Sequence, residues 1–358
     1  MRIVFFHRKS IGNQVSIEEN FKPIINYLAK ENEVQVLTVP YAGANPIVLI
    51  KNILYIRKHS IKNGINHITG DINYGVIGLI GRPSVVTIHD DYPVRQAQKG
   101  LFDKIYKWLF WIYLPIRYSN APICTTPSTF ENIKHHYSSS KLRVITHQTV
   151  PSILTDNHKP INKQCPRFLQ VGTQQNKNLE TTLKALKGLE CKLVILKEMS
   201  KEQIELAHKM GINYENRWNL PYEEVVKEYQ QCDMVLFPSL YEGLGVPIFE
   251  GQAAGKPVIT TNKDPMKWVA GDGAVLLNNP LDVNEYRAAI EKILFDDDYR
   301  KCLIEKGKEN SRRFSLNNAV KDYLDLYDKV LHKKVWEEDV NKKTICRGRL
   351  SENSDVTI

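Results

Sequence analysis

The stretch Met234–Asn262, MVLFPSLYEGLGVPIFEGQAAGKPVITTN, indicates the fold class of this chain. Its first four residues form an apolar run typical of a buried parallel strand, and a Pro-Ser pair ends that run. A loop with two glycines follows, and Pro247 suits the first turn of a helix, where its missing N–H is tolerated. Gly255 is the predicted end of this helix, and a second strand begins shortly after it. The stretch is therefore predicted to be a strand–loop–helix–strand unit.

Two carboxylates lie eight residues apart in this unit, Glu242 in the loop and Glu250 about one turn into the helix. Gly243 and Gly245 precede the helix N-terminus and let an anionic ligand approach free backbone N–H groups. A carboxylate repels such an anion, but it accepts hydrogen bonds from the hydroxyls of a sugar or a ribose. The predicted ligand is therefore a phosphate that carries polyol groups, that is, a nucleotide sugar. The alternative is an ordinary strand–helix turn with two surface glutamates.

The residues around this site make the chain resemble the retaining glycosyltransferases of family 4, which have the two-domain GT-B fold. The family's E-x7-E motif matches at Glu242 and Glu250 within the frame PS-x-YEG-x-G-x-P-x-x-E, and AAGKPVI follows. The resemblance extends over residues 1–331 and is weaker in the first half. It implies that Glu250 faces the cleft and holds the ribose hydroxyls. Glu242 would contact the donor sugar, with the backbone of Gly243-Leu244-Gly245 close by.

Short apolar runs alternate with longer amphipathic runs along the chain, which favours parallel sheets with helices on both faces. We therefore expect an α/β protein with two doubly wound, Rossmann-like domains that face each other across a cleft. Their predicted bounds are residues 1–155 on the acceptor side and 166–315 on the nucleotide-sugar side, joined through the proline-rich linker Pro151–Pro166. The resemblance implies that the next helix, residues 316–335, crosses back to the first domain. The polar residues 336–358 are expected to form a poorly ordered tail.

Apolar runs of four or five residues predict strands in both halves. Those of the first half are Arg2–Phe6, Val34–Thr38, Ile65–Thr69, Ser84–Ile88, Ala121–Thr125 and Leu142–Thr146. Those of the second half are Arg167–Val171, Lys192–Leu196, Met234–Phe237, Pro257–Thr261 and Ala274–Leu277. Ligands of such sheets bind beyond the carboxyl ends of the strands, so the residues that follow each strand are the candidates for a site.

The stretch Arg167–Asn178, RFLQVGTQQNKN, is a predicted strand that breaks at Gly172. In the resembling family a Gly-Arg pair here is followed by a lysine, and both cations neutralise the donor diphosphate. This chain has Thr173 in place of the arginine, and Lys177 occupies the lysine position. Thr173 can donate a hydrogen bond but supplies no charge, so we expect Lys197, which follows the next strand, to compensate. The alternative is that Lys177 is a surface residue that only starts a helix.

Three strand ends of the first half carry further candidates. His89 and Asp90 follow one predicted strand, and the resembling family often has a histidine at this place near the donor sugar, although a structural histidine is the alternative. Gly12 lies in the loop after the first strand, which the family uses near the diphosphate, while Ser16 as a helix N-cap is the simpler explanation for that loop. Asp71 follows another strand and could face the acceptor.

Asp296–Asp298 superficially match the D-x-D pattern of metal-dependent transferases. These residues lie between two predicted helices and far from any strand end, so we interpret them as a solvated helix boundary. No metal site is expected, and cation assistance would come from lysines and helix N-termini.

Composition narrows the class of protein further. The 358 residues are 42% hydrophobic and 25% charged, which is ordinary for a soluble α/β protein with two cores. No apolar run approaches the roughly 18–20 residues that span a bilayer, and Met1–Phe6 lacks the features of a signal peptide. Six cysteines are scattered without metal-type spacing, which is typical of free thiols in a reducing cytosol. A cytoplasmic location is therefore predicted.

A net charge of +9 favours an anionic partner. No nucleic-acid motif accompanies the charge, which argues against nucleic acid, whereas a lipid-linked acceptor at the inner face of an anionic membrane fits it. Tyr106–Tyr118, YKWLFWIYLPIRY, combines aromatic and basic residues as interfacial helices do. Pro115 interrupts this stretch, and the interpretation that we favour is that it covers the sheet of the first domain.

The resemblance implies a metal-independent hexosyltransferase that moves a sugar from a UDP- or GDP-sugar to the hydroxyl of a saccharide or lipid-linked acceptor, in cell-surface polysaccharide or glycolipid synthesis. Glu242, His89 and Lys177 are the catalytic candidates, and no cofactor is expected besides the donor. The departing phosphate oxygen would take the acceptor's proton on the same face of the sugar. A hydrolysing sugar-nucleotide epimerase of the same fold and a non-catalytic nucleotide-sugar binder are the alternatives.

Overall fold

Two parallel six-stranded sheets organise this computed structural model, which describes residues 1–10, 16–90, 94, 100–146 and 160–332. Helices flank both sheets, as the alternating pattern of the sequence predicts. The predicted fold class, two doubly wound α/β domains, is therefore confirmed.

The first sheet is built from strands of the first 146 residues. Its strands are β1 (Arg2–His7), β2 (Glu33–Thr38), β3 (Ile65–Ile68), β4 (Ser84–Ile88), β5 (Ala121–Cys124) and β6 (Arg143–Val144). They are arranged in the order β2-β1-β3-β4-β5-β6 with parallel neighbours. Successive side chains point to opposite faces, so Val4 and Phe6 belong to one core, and Ile3 and Phe5 belong to the other.

The second sheet follows the same plan. Its strands are β7 (Arg167–Val171), β8 (Lys192–Leu196), β9 (Tyr214–Arg217), β10 (Met234–Phe237), β11 (Val258–Thr261) and β12 (Val275–Leu277). The order is β12-β11-β10-β7-β8-β9, again parallel. Our sequence analysis missed β9 because YENR has no apolar run, as suits a half-buried strand at the edge of a sheet.

The helices of the first 146 residues lie on both faces of the first sheet. They are α1 (Ser16–Leu28), α2 (Pro46–His59), α3 (Leu101–Trp108), α4 (Leu114–Tyr118) and α5 (Pro127–His136). The remaining helices are α6 (Leu179–Leu186), α7 (Lys201–Met210), α8 (Tyr222–Gln231), α9 (Val246–Ala253), α10 (Met266–Ala270), α11 (Val283–Phe295), α12 (Asp297–Ser311) and α13 (Leu316–Leu331).

The aromatic stretch Tyr106–Tyr118 runs without a break from α3 through a π-helical turn into α4. Pro115 has no N–H to donate to the carbonyl of Trp111, and Nδ2 of the buried Asn73 donates to that oxygen over 3.2 Å instead. Trp111 and Ile112 are buried in the core on this side of the sheet. The packing interpretation of these residues is confirmed, and Pro115 does not interrupt the helix as we expected.

Helix α13 packs on the first sheet, although it follows the second in the chain. Tyr323 and Tyr327 are fully buried against Phe21 of α1 and the ring of His67 on β3. His67 Nδ1 lies 2.7 Å from the hydroxyl of Tyr327, and its Nε2 lies 2.8 Å from the hydroxyl of Thr87. Burial lowers the pKa of His67 to about 3, so its ring is neutral. The last helix therefore ties the two halves of the chain together.

Some predicted features lie outside the described residues. They are Gly12, the tail at residues 336–358, and most of the linker Pro151–Pro166. The cysteines that the structure describes, at positions 124, 165, 191, 232 and 302, are free thiols. Across the described ranges, no helix has the length and apolar character that crossing a membrane requires.

Candidate functional site

A cavity of about 240 Å³ lies between the two sheets. The first domain contributes His89 and Asp90, which follow β4, and Thr125, which follows β5. The second domain contributes Lys177, which follows β7, and the loop and helix start at residues 242–247, which follow β10. The carboxyl ends of strands from both sheets therefore meet at one place, where ligands of doubly wound sheets bind.

Lys177 and Glu242 form an ion pair inside this cavity. Lys177 Nζ donates to Glu242 Oε1 over 2.5 Å, and both side chains are largely buried. The same ammonium group lies 4.8 Å from the centre of the Phe237 ring. The sequence analysis selected both charged residues as catalytic candidates, and the structure brings them into direct contact. Their opposite charges neutralise each other.

Gly172 makes the position of Lys177 possible. Its φ is +101°, and a Cβ atom built on it would lie 2.7 Å from Cγ of Lys177. The lysine side chain therefore crosses directly over the glycine backbone, and any larger residue would displace it. The glycine in the family's Gly-Arg pair is thus retained for packing, although Thr173 replaces the arginine.

Two asparagines that the sequence analysis missed hold the loop of Glu242. Asn176 donates from Nδ2 to the carbonyl of Tyr241 over 3.0 Å, and the N–H of Leu240 donates to the carbonyl of Asn176. Asn178 Nδ2 donates to the carbonyl of Pro238 over 3.2 Å. Their signal in the sequence is the polar run after β7, at the carboxyl end of a strand. These bonds fix the loop after β10 to the loop after β7, so that Lys177 and Glu242 keep their geometry.

The cavity also receives the N-terminus of α9. The helix starts at Val246, and no side chain caps it, because Gly245 at the N-cap has no side chain. Pro247 is the second residue of the helix. Backbone N–H groups at an uncapped N-terminus carry partial positive charge and bind anions. Together with Lys177, this end of the helix gives the cavity the chemistry to hold a phosphate group.

Glu250 does not face the cleft, as we had expected it to. Its side chain is buried, with 6% of the residue exposed, and it does not belong to the cavity lining among the described residues. Tyr222, the first residue of α8, donates from its hydroxyl to Glu250 Oε1 over 2.6 Å. Burial raises the pKa of Glu250, and the hydrogen bond from Tyr222 opposes that rise. The carboxylate is therefore covered by a tyrosine that the sequence analysis did not identify, since the two residues meet only in the fold.

His89 lies over Gly70 on the first domain. A Cβ atom at Gly70, whose φ is +133°, would come within 2.4 Å of His89 Nε2. That nitrogen lies 2.7 Å from the carbonyl oxygen of Thr69. A carbonyl oxygen only accepts, so Nε2 carries a proton, and in the neutral ring Nδ1 is the acceptor. The hydroxyl groups of Thr125 and Thr129 donate to the backbone carbonyl of His89 and fix this strand end.

Three other candidates lie outside the cavity lining among the described residues. The hydroxyl of Thr173 donates to the carbonyl of Glu198 over 2.7 Å, which turns it towards the end of β8. Lys197 is exposed and has a φ of +90°. Asp71 accepts from Nη1 of Arg8, and Nε of Arg8 donates to Glu18. Their predicted roles in donor or acceptor binding stay predictions.

The aspartates at 296–298 stand at a helix boundary, as we predicted. Asp296 is the N-cap of α12 and accepts from the N–H of Tyr299 over 2.9 Å. Asp297 pairs with Lys163 over 2.8 Å and with Arg300 over 2.5 Å. Within the described ranges, no group of three or more His, Cys, Asp or Glu side chains is arranged to hold a metal ion.

Comparison with known proteins gives a family model that matches the second domain, and relatives that match about a third of the chain. Residues 154–310 match the family model described as glycosyl transferases group 1. D-inositol 3-phosphate glycosyltransferase of Corynebacterium urealyticum is 33% identical over 126 residues, which are 34% of this chain and 30% of that protein. O-antigen chain mannosyltransferase B of Escherichia coli is 32% identical over 108 residues, 30% of this chain and 28% of that protein. The chain thus covers less than a third of the length of either relative.

Solved structures extend the similarity to the whole fold. Sucrose-phosphate synthase of Thermosynechococcus elongatus has a TM-score of 0.72 at 17% identity, over 93% of this chain and 99% of that chain. HepE of Anabaena in complex with UDP and glucose has a TM-score of 0.71 at 13% identity, over 92% and 100% of the two chains. Identities this low establish the fold alone. Residues 154–310 are therefore similar to the group 1 glycosyl transferases, and the chain as a whole has the two-domain GT-B fold.

Proposed function

We propose that this protein is a retaining glycosyltransferase that moves a hexosyl group from a nucleotide sugar to an acceptor hydroxyl. The observation that carries the proposal is the ion pair of Lys177 and Glu242 beside the uncapped N-terminus of α9, inside a cavity between two domains. One cation, one carboxylate and the positive end of a helix match the phosphate and the hydroxyls of a sugar diphosphate. A UDP- or GDP-sugar is the proposed donor, as a substrate and without a further cofactor.

Each group of the second domain has a proposed part in donor binding. Lys177 and the N-terminus of α9 stabilise the diphosphate as negative charge develops on it. Glu242 accepts hydrogen bonds from the hydroxyls of the donor sugar once Lys177 turns to the phosphate. Glu250 takes the ribose hydroxyls after Tyr222 shares or releases its carboxylate. The cavity of about 240 Å³ is smaller than the roughly 300–1,000 Å³ of typical ligand sites, in keeping with a nucleoside position that Tyr222 closes.

The acceptor is proposed to enter from the first domain, beside His89 and Asp90. In the proposed step, the bond between the anomeric carbon and the leaving phosphate oxygen breaks. The acceptor oxygen bonds to the same face of that carbon, and its proton passes to the departing phosphate oxygen. In this step Glu242 contacts the hydroxyls of the donor sugar, and His89 lies beside the anomeric carbon.

The proposed biological setting is the synthesis of cell-surface polysaccharide or glycolipid. It is supported by the names of similar proteins, since one relative is an O-antigen chain mannosyltransferase. Another protein with this fold, WaaG, is described as involved in lipopolysaccharide biosynthesis and has a TM-score of 0.65 at 15% identity. A saccharide or lipid-linked acceptor at the cytoplasmic side of a membrane is therefore the proposed partner.

Incubation with a panel of UDP- and GDP-sugars, with and without saccharide or lipid-linked acceptors, tests the proposal. We expect the nucleotide to be released together with glycosylated acceptor, and the new linkage to keep the anomeric configuration of the donor. Consumption of the donor without any acceptor would instead identify an epimerase. Binding of UDP or GDP without turnover would identify a nucleotide-sugar binder, an outcome that the missing arginine at Thr173 makes worth testing.

We also propose that turnover needs no divalent metal. The support is that Lys177 and the N-terminus of α9 already supply positive charge at the cavity. The rate should be unchanged by EDTA. Loss of activity in EDTA that manganese or magnesium restores would overturn this part of the proposal and leave the transferase assignment intact.

A further inference from the structure

Six large apolar side chains of the first domain point into solvent from two helices. Helix α2 exposes Ile47, Ile50 and Leu54, and the start of α3 exposes Leu101, Phe102 and Ile105. Each is at least half exposed, and Phe102 is 90% exposed. Single exposed apolar residues are ordinary, but a cluster of this kind marks an interaction surface. We name these six residues the α2–α3 surface.

The core of the first domain does not explain these residues. Leu49 and Ile56 of α2 already fill the core, and Asn52 between them donates to the hydroxyl of Tyr74 over 2.9 Å. Ile50 and Leu54 belong to a second apolar stripe on the opposite side of the same helix. A helix that is apolar on both sides needs a second partner for its outer stripe.

Helix α3 contacts the chain immediately before α2. The hydroxyl of Tyr106 on α3 donates to the carbonyl of Ala44 over 2.8 Å, immediately before the N-cap of α2 at Asn45. Helix α2 follows the carboxyl end of β2 and α3 follows that of β4, the strand that presents His89. Both helices therefore follow strands whose carboxyl ends lie at the same edge of the first sheet as the cavity.

Cations accompany the apolar side chains. The sequence of α2, PIVLIKNILYIRKH, contains Lys51, Arg57 and Lys58 and no acid. On α3, Lys104 is exposed, while Asp103 pairs with Lys107 over 3.1 Å. A second copy of the chain docked on this surface by two-fold symmetry would bring these cations towards each other, which disfavours a dimer. An anionic bilayer attracts the lysines and accepts the apolar side chains at the same time.

We propose that the α2–α3 surface docks the first domain onto an anionic lipid bilayer. Ile47, Ile50 and Phe102 enter the interface between headgroups and acyl chains, and Lys51 and Lys104 meet the headgroup phosphates. The aromatic stretch Tyr106–Tyr118, from which the sequence suggested membrane contact, is largely packed on the core and is not the docking element. This inference extends the proposed function, because it names the surface on which a lipid-linked acceptor would approach the cavity.

Co-sedimentation of the full chain with vesicles tests the surface. One set of vesicles contains phosphatidylglycerol and phosphatidylcholine, and the other contains phosphatidylcholine alone. We expect binding to the anionic vesicles only, with release as salt rises, because screening shortens the range of the lysine charges. The double variant Ile50→Ser/Phe102→Ser should bind about tenfold less or weaker still, since two buried apolar side chains are lost.

The matched control is Leu281→Ser/Phe295→Ser, which removes two apolar side chains of the second domain that are 59% and 64% exposed. We expect this control to bind anionic vesicles as the unmodified chain does, and both double variants to keep its affinity for UDP or GDP. Equal vesicle binding by the two double variants would overturn the proposal, and so would negligible binding by the unmodified chain. A concentration-dependent dimer that only Ile50→Ser/Phe102→Ser abolishes would replace the bilayer with a second copy. Failure of the transferase proposal would look different, with vesicle binding intact and no glycosyl transfer.

Discussion

The two walls of the cavity are built in different ways. The wall of the second domain carries the opposite charges of Lys177 and Glu242, fixed by a network of asparagine hydrogen bonds. The wall of the first domain presents His89 over Gly70, with Thr125 supporting its backbone. The charged wall suits the diphosphate of the proposed UDP- or GDP-sugar donor. The other wall has less fixed charge, which leaves it free to suit one particular acceptor.

This difference explains why family similarity lies mainly in one half of the chain. The family model matches residues 154–310 and not the first domain, whereas the fold covers both domains. Donor chemistry restricts residue types at given positions, while a sheet needs only apolar strands to form. If this is so, changes in the second-domain wall should affect the donor, and changes in the first-domain wall should affect the acceptor.

The largest effect is expected from Lys177→Ala. Removing the cation that faces the leaving phosphate should lower turnover by about 10²–10³, the range seen when one charge-stabilising donor is removed. Affinity for the bare nucleoside should change little, because a nucleoside has no phosphate. Steady-state rates and calorimetry measure the two quantities.

Lys197→Ala is the control for that variant. The sequence suggested that Lys197 compensates for the arginine missing at Thr173, whereas in the structure it is exposed and outside the cavity lining of the described residues. We expect a rate near that of the unmodified enzyme. A loss comparable to that of Lys177→Ala would mean that Lys197 reaches the donor when the cleft closes.

Two glycines allow the walls to be disturbed separately. A Cβ at Gly172 collides with Lys177, and a Cβ at Gly70 collides with His89. Gly172→Ala should therefore weaken donor binding and turnover together, by about tenfold or more, since strain at such a backbone costs roughly 1–3 kcal/mol. Gly70→Ala should leave donor affinity unchanged and raise the KM for the acceptor.

One result for the two glycine variants would contradict the proposed division between the walls. If Gly70→Ala weakened nucleotide binding as much as Gly172→Ala does, the first wall would also serve the donor, and the division between the walls would be wrong. Thermal unfolding of both variants shows whether either change has destabilised the whole domain.

The strands could be predicted from sequence far better than the site. Buried strands such as β7, β8 and β10 are short apolar runs, and their predicted bounds are confirmed. β9 was missed because its polar side chains lie at a sheet edge. Lys177 and Glu242 could each be predicted as site residues, because each follows the end of a strand. Their direct contact could not be foreseen, because it depends on how two loops pack.

Burial was the property hardest to predict. Glu250 lies in a recognisable motif, yet its cover by Tyr222 joins residues on two helices that no local pattern connects. The stretch Tyr106–Tyr118 packs largely on the core, as the favoured interpretation of its sequence predicted. The exposed apolar stripe on α2 was not predicted, because its helical sequence is ordinary. Periodicity indicates which residues share a face of a helix, but not which face the rest of the fold covers.

Glu250→Gln should weaken UDP or GDP binding by about 1.5 kcal/mol, or roughly tenfold, because hydrogen bonds to a charged carboxylate are stronger than those to an amide. The free energy of unfolding near neutral pH should not fall. Burial raises the pKa of Glu250, so the ionised carboxylate costs stability that the neutral amide does not.

Glu228→Gln is the matched control within the second domain. Glu228 is as buried as Glu250, but its carboxylate pairs with Arg167 over 2.7 Å and with Arg217. Its replacement should lower the free energy of unfolding and leave nucleotide affinity unchanged. Calorimetry measures the nucleotide affinity of both variants, and denaturant unfolding measures their stability. If Glu250→Gln left the affinity unchanged, Glu250 would lie outside the nucleotide site.

The smallest effect is expected from Tyr222→Phe, and it is best seen against pH. The hydroxyl of Tyr222 donates to Glu250 and so favours the ionised carboxylate, against the burial that raises its pKa. In the proposed function, the ionised form of Glu250 binds the ribose hydroxyls. Nucleotide affinity should therefore fall as the pH drops through this raised pKa, at a higher pH than for an exposed carboxyl group. Without the tyrosine hydroxyl the pKa rises further, so the acid limb of binding should move to higher pH.

At a pH well above the pKa of Glu250, Tyr222→Phe should change nucleotide affinity by no more than a few-fold. The carboxylate is ionised in the unmodified protein and in the variant, and in the variant it no longer accepts a hydrogen bond from the tyrosine. Tyr214→Phe removes a hydroxyl that lies 3.3 Å from His208, away from the site, and should leave the pH profile unchanged. The same rise in the pKa of Glu250 also affects stability, but in the opposite pH range. A carboxyl whose pKa is raised by folding favours the fold most below its unfolded pKa of about 4.3 and loses that contribution as the pH rises through its folded pKa. Tyr222→Phe should thus destabilise the protein more at neutral than at acid pH, and an unshifted acid limb would mean that Tyr222 covers Glu250 without influencing its charge.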